Sequence, residues 1–294
     1  MRTAFLLKGP FRHALLTAFY CFLIACEKIN TDGLTNLNGN SITVLGHRGN
    51  GVNGMYPDNS MESMEAGIDE LGADGVEMDI QISKDGELML FHNEELGSIT
   101  SCSGKINSRQ KNELAECLYD ASVFNAPLHD YHLATLDAVF NRFKSYTPLP
   151  VFFLDTKQIY EEENYPDSAN HFNVVFGNTI HGLISKYNLE QVVLVNSGSK
   201  ELLAYMKNNF PSLKLLLHAD NFEDGLNTAQ FLGLFGITIH YSYVTRAQIE
   251  TAHAAGIRIA LWGVGSVSSC RETVRLFPDY VKTDNISYML SLLN

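Results

Sequence analysis

The chain predicts an α/β fold, a (β/α)8 TIM barrel with a small insertion between its second and third strands. Three observations carry this expectation. Eight apolar β-type runs alternate with amphipathic stretches of helical period. Runs such as Val151-Phe152-Phe153-Leu154 and Val192-Val193-Leu194-Val195 are continuously apolar, as in parallel strands buried on both faces. Polar residues able to do chemistry follow these runs at the same end, where barrels of this kind place their sites.

The expected strands are Ile42–His47, Gly75–Ile80, Pro150–Thr156, Gln191–Asn196, Leu213–His218, Gly236–Tyr241, Ile257–Val264 and Tyr280–Asp284. Between them, helices are expected at Ser60–Leu71, Asn170–Tyr187, Lys200–Asn209, Asn227–Leu234, Thr245–Ala255 and Ser268–Leu276, with Ile286–Leu292 closing the barrel. Asn59 with Glu62 has the spacing of a capping box, and Gly256 stands where a helix ends. A doubly wound open sheet is the competing architecture. Against it, no Gly-x-Gly-x-x-Gly turn follows the first strand.

The insertion, about residues 84–149, contains the expected elements Leu88–His92, Ser108–Leu118 and Thr135–Phe143. Asp85-Gly86 signals a hairpin folding Leu88–His92 back onto the end of strand two. A two-residue turn would set His92 opposite Asp79. A three-residue turn with Gly86 as a bulge would shift that register by one.

Of 294 residues, 45% are hydrophobic and 18% charged, which fits a globular core. The formal net charge of −12, with no basic run, argues against a nucleic-acid partner. Residues 1–25 read as an export signal: Arg2, Lys8 and Arg12 precede an apolar run, Ala14 to Ala25, too short to span a bilayer. Leu23-Ile24-Ala25-Cys26 resembles a bacterial lipobox. On that reading Cys26 is acylated, residues 26–41 form a flexible tether, and residues 42–294 form the barrel, held at a membrane facing periplasm or exterior. An ordinary signal peptide with an incidental Cys26 is the alternative. Cys102 and Cys117 could pair in an oxidising compartment or stay free, and no cysteine spacing suggests zinc.

The chemistry concentrates between Val44 and Asn93, with further groups at later strand ends. Glu77 and Asp79 lie two apart on one strand face, and Asp155 ends the third strand. Three carboxylates without a thiol suit one hard divalent cation, Ca²⁺ or Mg²⁺, and would repel one another without a counter-charge. Hydrogen-bonded residues without a metal are the plainer alternative. Arg48 and Lys157 can bind phosphate oxygens or pair with those carboxylates. His47 and His92 have the intrinsic pKa for proton transfer near neutrality. Asp58 is a further metal neighbour, a histidine orienter or a loop carboxylate starting the next helix. Asn59 suits a cap better than a ligand. Trp262 is either barrel core or a wall against substrate. His218, His240 and Tyr241 are candidate pocket walls, whereas His129, His132, His171, His181 and His253 are expected at the surface.

In order, His47-Arg48-Gly49, Pro57-Asp58-Asn59-Ser60, Glu77-Met78-Asp79, Lys84-Asp85-Gly86 through His92, Asp155-Thr156-Lys157, Leu261-Trp262 and Thr283-Asp284 resemble the motifs of the glycerophosphodiester phosphodiesterases, within the phosphatidylinositol-specific phospholipase C-like superfamily. The resemblance covers about residues 42 to 290. It implies hydrolysis of glycerophosphodiesters to sn-glycerol 3-phosphate and an alcohol, with His47 and His92 as the acid–base pair. By the same resemblance Glu77, Asp79 and Asp155 would be the metal ligands, and Arg48, Lys157 and Trp262 would contact substrate. Asp58 and Asp155 stand where the family usually has Glu, each about 1.5 Å shorter in reach. Those departures motivate an alternative, a membrane-anchored lipoprotein that binds glycerol-phosphate or phospholipid headgroups without turnover. A glycoside hydrolase built on the carboxylates is a third reading, but it leaves Arg48, Lys157 and two histidines without a task.

Overall fold

A computed structural model describes residues 33–293, except 53, 121, 125–126, 128 and 161–168. The expected export signal and the expected acylation site Cys26 lie outside the described residues. The barrel strands are β1 (Thr43–Gly46), β2 (Gly75–Ile82), β4 (Val151–Thr156), β5 (Val193–Ser197), β6 (Lys214–His218), β7 (Gly236–His240), β8 (Arg258–Val264) and β9 (Tyr280–Thr283), and β3 (Leu88–Leu90) belongs to the insertion. All eight barrel strands run parallel, and the β1–β2 and β1–β9 pairings close the sheet on itself.

The helices are α1 (Met61–Glu65), α2 (Lys111–Leu114), α3 (Leu136–Phe143), α4 (Ala169–Tyr187), α5 (Lys200–Asn209), α6 (Phe222–Leu232), α7 (Arg246–Ala254), α8 (Val267–Leu276) and α9 (Ile286–Leu293). Outward-facing strand residues such as Met78, Leu154, Val195 and Ile237 pack with helix residues such as Phe140, Phe176 and Leu203. A smaller layer inside the barrel comprises Leu45, Phe153, Leu194, Leu216, Ala260 and Tyr280. This floor carries the polar rim above it.

Several elements depart from the sequence expectation. The helix after β1 is capped by Ser60, whose hydroxyl accepts from the Ser63 amide, and not by Asn59. It then widens into a π-helical turn over Ala66–Glu70. Helix α6 starts well before Asn227, because Asn221 caps it and Gly225 lets it lie close to Ala219. Most of the helix expected at 108–118 is absent: a short 3₁₀ turn (Ile106–Ser108) and the single turn α2 stand there. The segment is stitched instead by the Cys102–Cys117 disulfide and by isolated bridges, Thr100 with Tyr119 and Leu118 with His132.

The hairpin takes the three-residue form. Ser83 donates its amide to the Glu87 carbonyl, and Gly86 has φ +89°. Ile80 pairs with Leu90, and the Phe91 amide reaches the Asp79 carbonyl at 2.9 Å, so Phe91 stands opposite Asp79 and His92 falls just beyond. At the opposite end of the barrel, the last residues of the expected tether dock. Leu37 donates its amide to Asp279 Oδ1 (2.7 Å), and Arg258 donates to Leu37 O and Asn38 Oδ1. Two histidines expected at the surface are engaged: His253 contacts buried Asp279 at 2.8 Å, and His181 stacks on Phe210.

Candidate active site

The turn after β1 presents the first two groups. Arg48 has φ +53° and Gly49 φ +101°, where a side chain would collide with Ser63, so the chain turns sharply under α1. The Arg48 amide donates to Glu77 Oε2 at 2.9 Å. Its guanidinium reaches Asp58 Oδ2 at 3.0 Å and Asp79 Oδ2 at 3.2 Å. His47 is fixed from the other side: its Nδ1 lies 2.8 Å from Asp284 Oδ1, leaving Nε2 toward Glu77 at 3.9 Å.

Glu77, Asp79 and Asp155 converge. One oxygen from each lies within 4.8 Å of the others, and the adjacent registers Glu77–Phe153 and Asp79–Asp155 place them on one interior face of β2 and β4. The first two are fully enclosed. This donor set of hard oxygens, without thiolate, fits a Ca²⁺- or Mg²⁺-type ion. Lys157 bridges the cluster, 2.9 Å from Asp79 and 2.6 Å from Asp155. Asn196 donates to the other oxygen of Asp155 at 2.6 Å. Asp58 is thus an arginine partner, with its Oδ1 buried and unpaired.

The electrostatics follow from burial and neighbours. Burial and the Asp79 charge raise the Glu77 pKa. Burial also works against ionisation of Asp79 and Asp155, but nearby cations outweigh it and hold both below the usual carboxylate range. Lys157 acts on Asp79 with Arg48, while Lys282 and Lys157 act on Asp155. For His47, desolvation would lower the pKa, but Glu77 and Asp284 outweigh it and raise it.

His92 shares a cleft with Arg48. Its volume is about 210 Å³, and Asp58, Asn59, Asn93 and the insertion residues Ile99, Val123 and Phe124 also line it. Gln81 holds this corner by donating to the carbonyls of Phe91 and Asn93, both at 2.8 Å. Across the mouth, Trp262 packs between His240 (4.7 Å between ring centres) and His218 (5.6 Å). Its indole nitrogen is enclosed without a partner. Tyr241 and the exposed Tyr243 flank His240.

The sequence pattern therefore located the two histidines, the three carboxylates, Arg48 and Lys157 at one mouth. It missed four supporting residues. Asn59 is not the cap: its amide clamps Asp79, donating to Oδ2 and accepting from the Asp79 amide, both at 2.9 Å. Asn196 and Gln81 gave no signal beyond lying on strands. Lys282, only 5% exposed, sits 3.9 Å from Glu77 inside the barrel. A lysine in an otherwise apolar strand was the available clue.

The C-terminal mouth of the parallel barrel thus gathers three carboxylates, two imidazoles and the cations of Arg48 and Lys157, groups suited to phosphoryl chemistry. The glycerophosphoryl diester phosphodiesterase family model matches residues 47–287, and the chain belongs to that family of enzymes. It is 23% identical over 252 residues to a glycerophosphodiester phosphodiesterase of Caldanaerobacter subterraneus, covering 85% of this chain and 97% of that one. A glycerophosphodiester phosphodiesterase of Bacillus altitudinis is 38% identical over a shorter 71-residue stretch, 28% of its length. Among solved structures, an Oleispira antarctica phosphodiesterase in complex with the product sn-glycerol-3-phosphate superposes with a TM-score of 0.71 at 18% identity, over 85% of this chain and 96% of that chain. A glycerophosphodiester phosphodiesterase of Agrobacterium tumefaciens gives 0.67 at 18% identity, over 85% and 99%.

Proposed function

We propose that this protein is a divalent-metal-dependent hydrolase that cleaves glycerophosphodiesters to sn-glycerol 3-phosphate and an alcohol. The observation that carries the reading is the meeting of Glu77, Asp79 and Asp155 within 4.8 Å, beneath Arg48 and Lys157. The bound ion would polarise the phosphoryl group and offset the charge that develops on it. Arg48 and Lys157 stand where they can turn from carboxylates to phosphate oxygens. Water attacks phosphorus as the bond to the alcohol breaks, or the substrate's own adjacent hydroxyl does so and gives a cyclic glycerol phosphate that water then opens to sn-glycerol 3-phosphate. One imidazole of His47 and His92 takes the proton of the attacking hydroxyl, and the other gives a proton to the departing alcohol oxygen. Asp284 keeps His47 Nε2 toward the reaction. Trp262 forms the opposite wall, against the glycerol end.

The amino-terminal pattern supports export and lipid attachment through Cys26 at a bacterial envelope membrane. Among the described residues no helix is long and apolar enough to cross a membrane.

The test is product release from a panel of glycerophosphodiesters with Ca²⁺, Mg²⁺ or chelator. We expect sn-glycerol 3-phosphate to appear only with a divalent ion, and His47→Ala and His92→Ala each to lower kcat by roughly 10²-fold or more. Losses below about tenfold in both variants would remove the histidines from the chemistry. Release that ignores chelator would remove the metal.

A further inference from the structure

Lys282 is a buried cation beside the carboxylate cluster that no step above uses. It pairs in register with Leu45 of β1, so its side chain enters the barrel, where the floor is Leu45, Phe153, Leu194 and Tyr280. Its ammonium lies 4.9 Å over the Phe153 ring and 3.9 Å from Glu77 Oε1. An apolar floor requires no lysine, and burying one is unfavourable without a countercharge. The countercharge here is the carboxylate cluster itself.

Three negative charges, on Glu77, Asp79 and Asp155, meet three positive ones, on Arg48, Lys157 and Lys282. The cations differ in freedom. Arg48 and Lys157 reach the partly open mouth, where phosphate oxygens would arrive, whereas Lys282 is enclosed. An arriving phosphodiester can draw the first two away from the carboxylates and brings negative charge of its own. Lys282 cannot follow.

Taking the metal-dependent reading above as given, we propose that Lys282 is a fixed internal counter-cation of the carboxylate cluster. It weakens the intrinsic grip on a divalent ion and makes ion binding depend on a phosphate ester at the mouth. The dependence is reciprocal: whatever factor the ester contributes to ion affinity, the ion contributes to ester affinity. Asp155 is already held by Lys157 and Asn196, so an arriving ion must compete with both.

The experiment is calorimetric titration of the purified protein with Ca²⁺, with and without sn-glycerol 3-phosphate, for the native chain, Lys282→Met and Lys282→Arg. Lys282→Met should bind Ca²⁺ alone about tenfold or more tightly than the native chain and respond less to the ester, since a like charge a few ångströms from the ion is gone. Lys282→Arg should stay near native. Equal Ca²⁺ affinity in native and Lys282→Met proteins overturns the proposal and leaves the metal reading standing. Failure of both to bind Ca²⁺ or Mg²⁺, with or without the ester, overturns the metal reading and the proposal with it. A Lys282→Met protein that folds only when Ca²⁺ is present supports the proposal, because the ion then supplies the missing charge. Should that variant fold under neither condition, Lys282→Gln is titrated with the same criteria.

Discussion

Asp284 shows how a side chain one step from the chemistry can control it. It accepts from the Val52 amide at 2.9 Å and holds His47 Nδ1 at 2.8 Å, so the imidazole has one orientation available. Asp284→Asn keeps the shape but removes the charge and can present an N–H to that nitrogen. We expect kcat to fall about a hundredfold while KM changes little, because the ring is misoriented but the phosphate contacts remain. An unchanged kcat would show that His47 needs no such partner. Asn59 is the counterpart on the carboxylate side. Its left-handed backbone (φ +62°) and paired hydrogen bonds lock Asp79, a role that its position before a helix concealed, since a capping pattern explained it equally well.

Among the elements, β8 has the clearest local device. Its pairing with β9 jumps between Leu261 and Val264, and Gly263 adopts φ +83° in the irregularity. The bulge turns Trp262 toward His240 and His218. A Cβ on Gly263 would stand 2.2 Å from His240 Nε2. Gly263→Ala should therefore lower stability by about 1–2 kcal/mol and raise KM as the indole wall shifts, measured by thermal unfolding and steady-state kinetics. Unaltered Tm and KM would mean that the wall does not depend on the bulge. The hairpin teaches a related lesson. Asp85-Gly86 announced a turn, but its length decided the register, and two turn types fitted the same residues. Only the pairing of Ile80 with Leu90 resolves them. The insertion was least legible, because its 3₁₀ turns, short bridges and disulfide have no periodicity to read.

At the scale of the molecule, the barrel was legible because eight buried parallel strands leave continuous apolar runs. Observed strand ends fall within two residues of expectation, as Val193–Ser197 against Gln191–Asn196 illustrates. The rim was legible because closure brings the ends of distant strands together, so polar residues ending β1, β2 and β4 must face one mouth. The barrel interior was not. Lys282 and Asn196 act through neighbours on other strands, and one strand alone does not reveal them. The same geometry places Leu37 and Asn38 at the face opposite the mouth, where Asp279 and Arg258 grip them.

The most direct test is a crystal structure with Mn²⁺ and sn-glycerol 3-phosphate, read by anomalous scattering. A single peak bonded to Glu77, Asp79 and Asp155, with Lys157 moved onto the phosphate, is the expected result. Lys157 still bridging Asp79 and Asp155, with no metal peak among the three carboxylates, would contradict it.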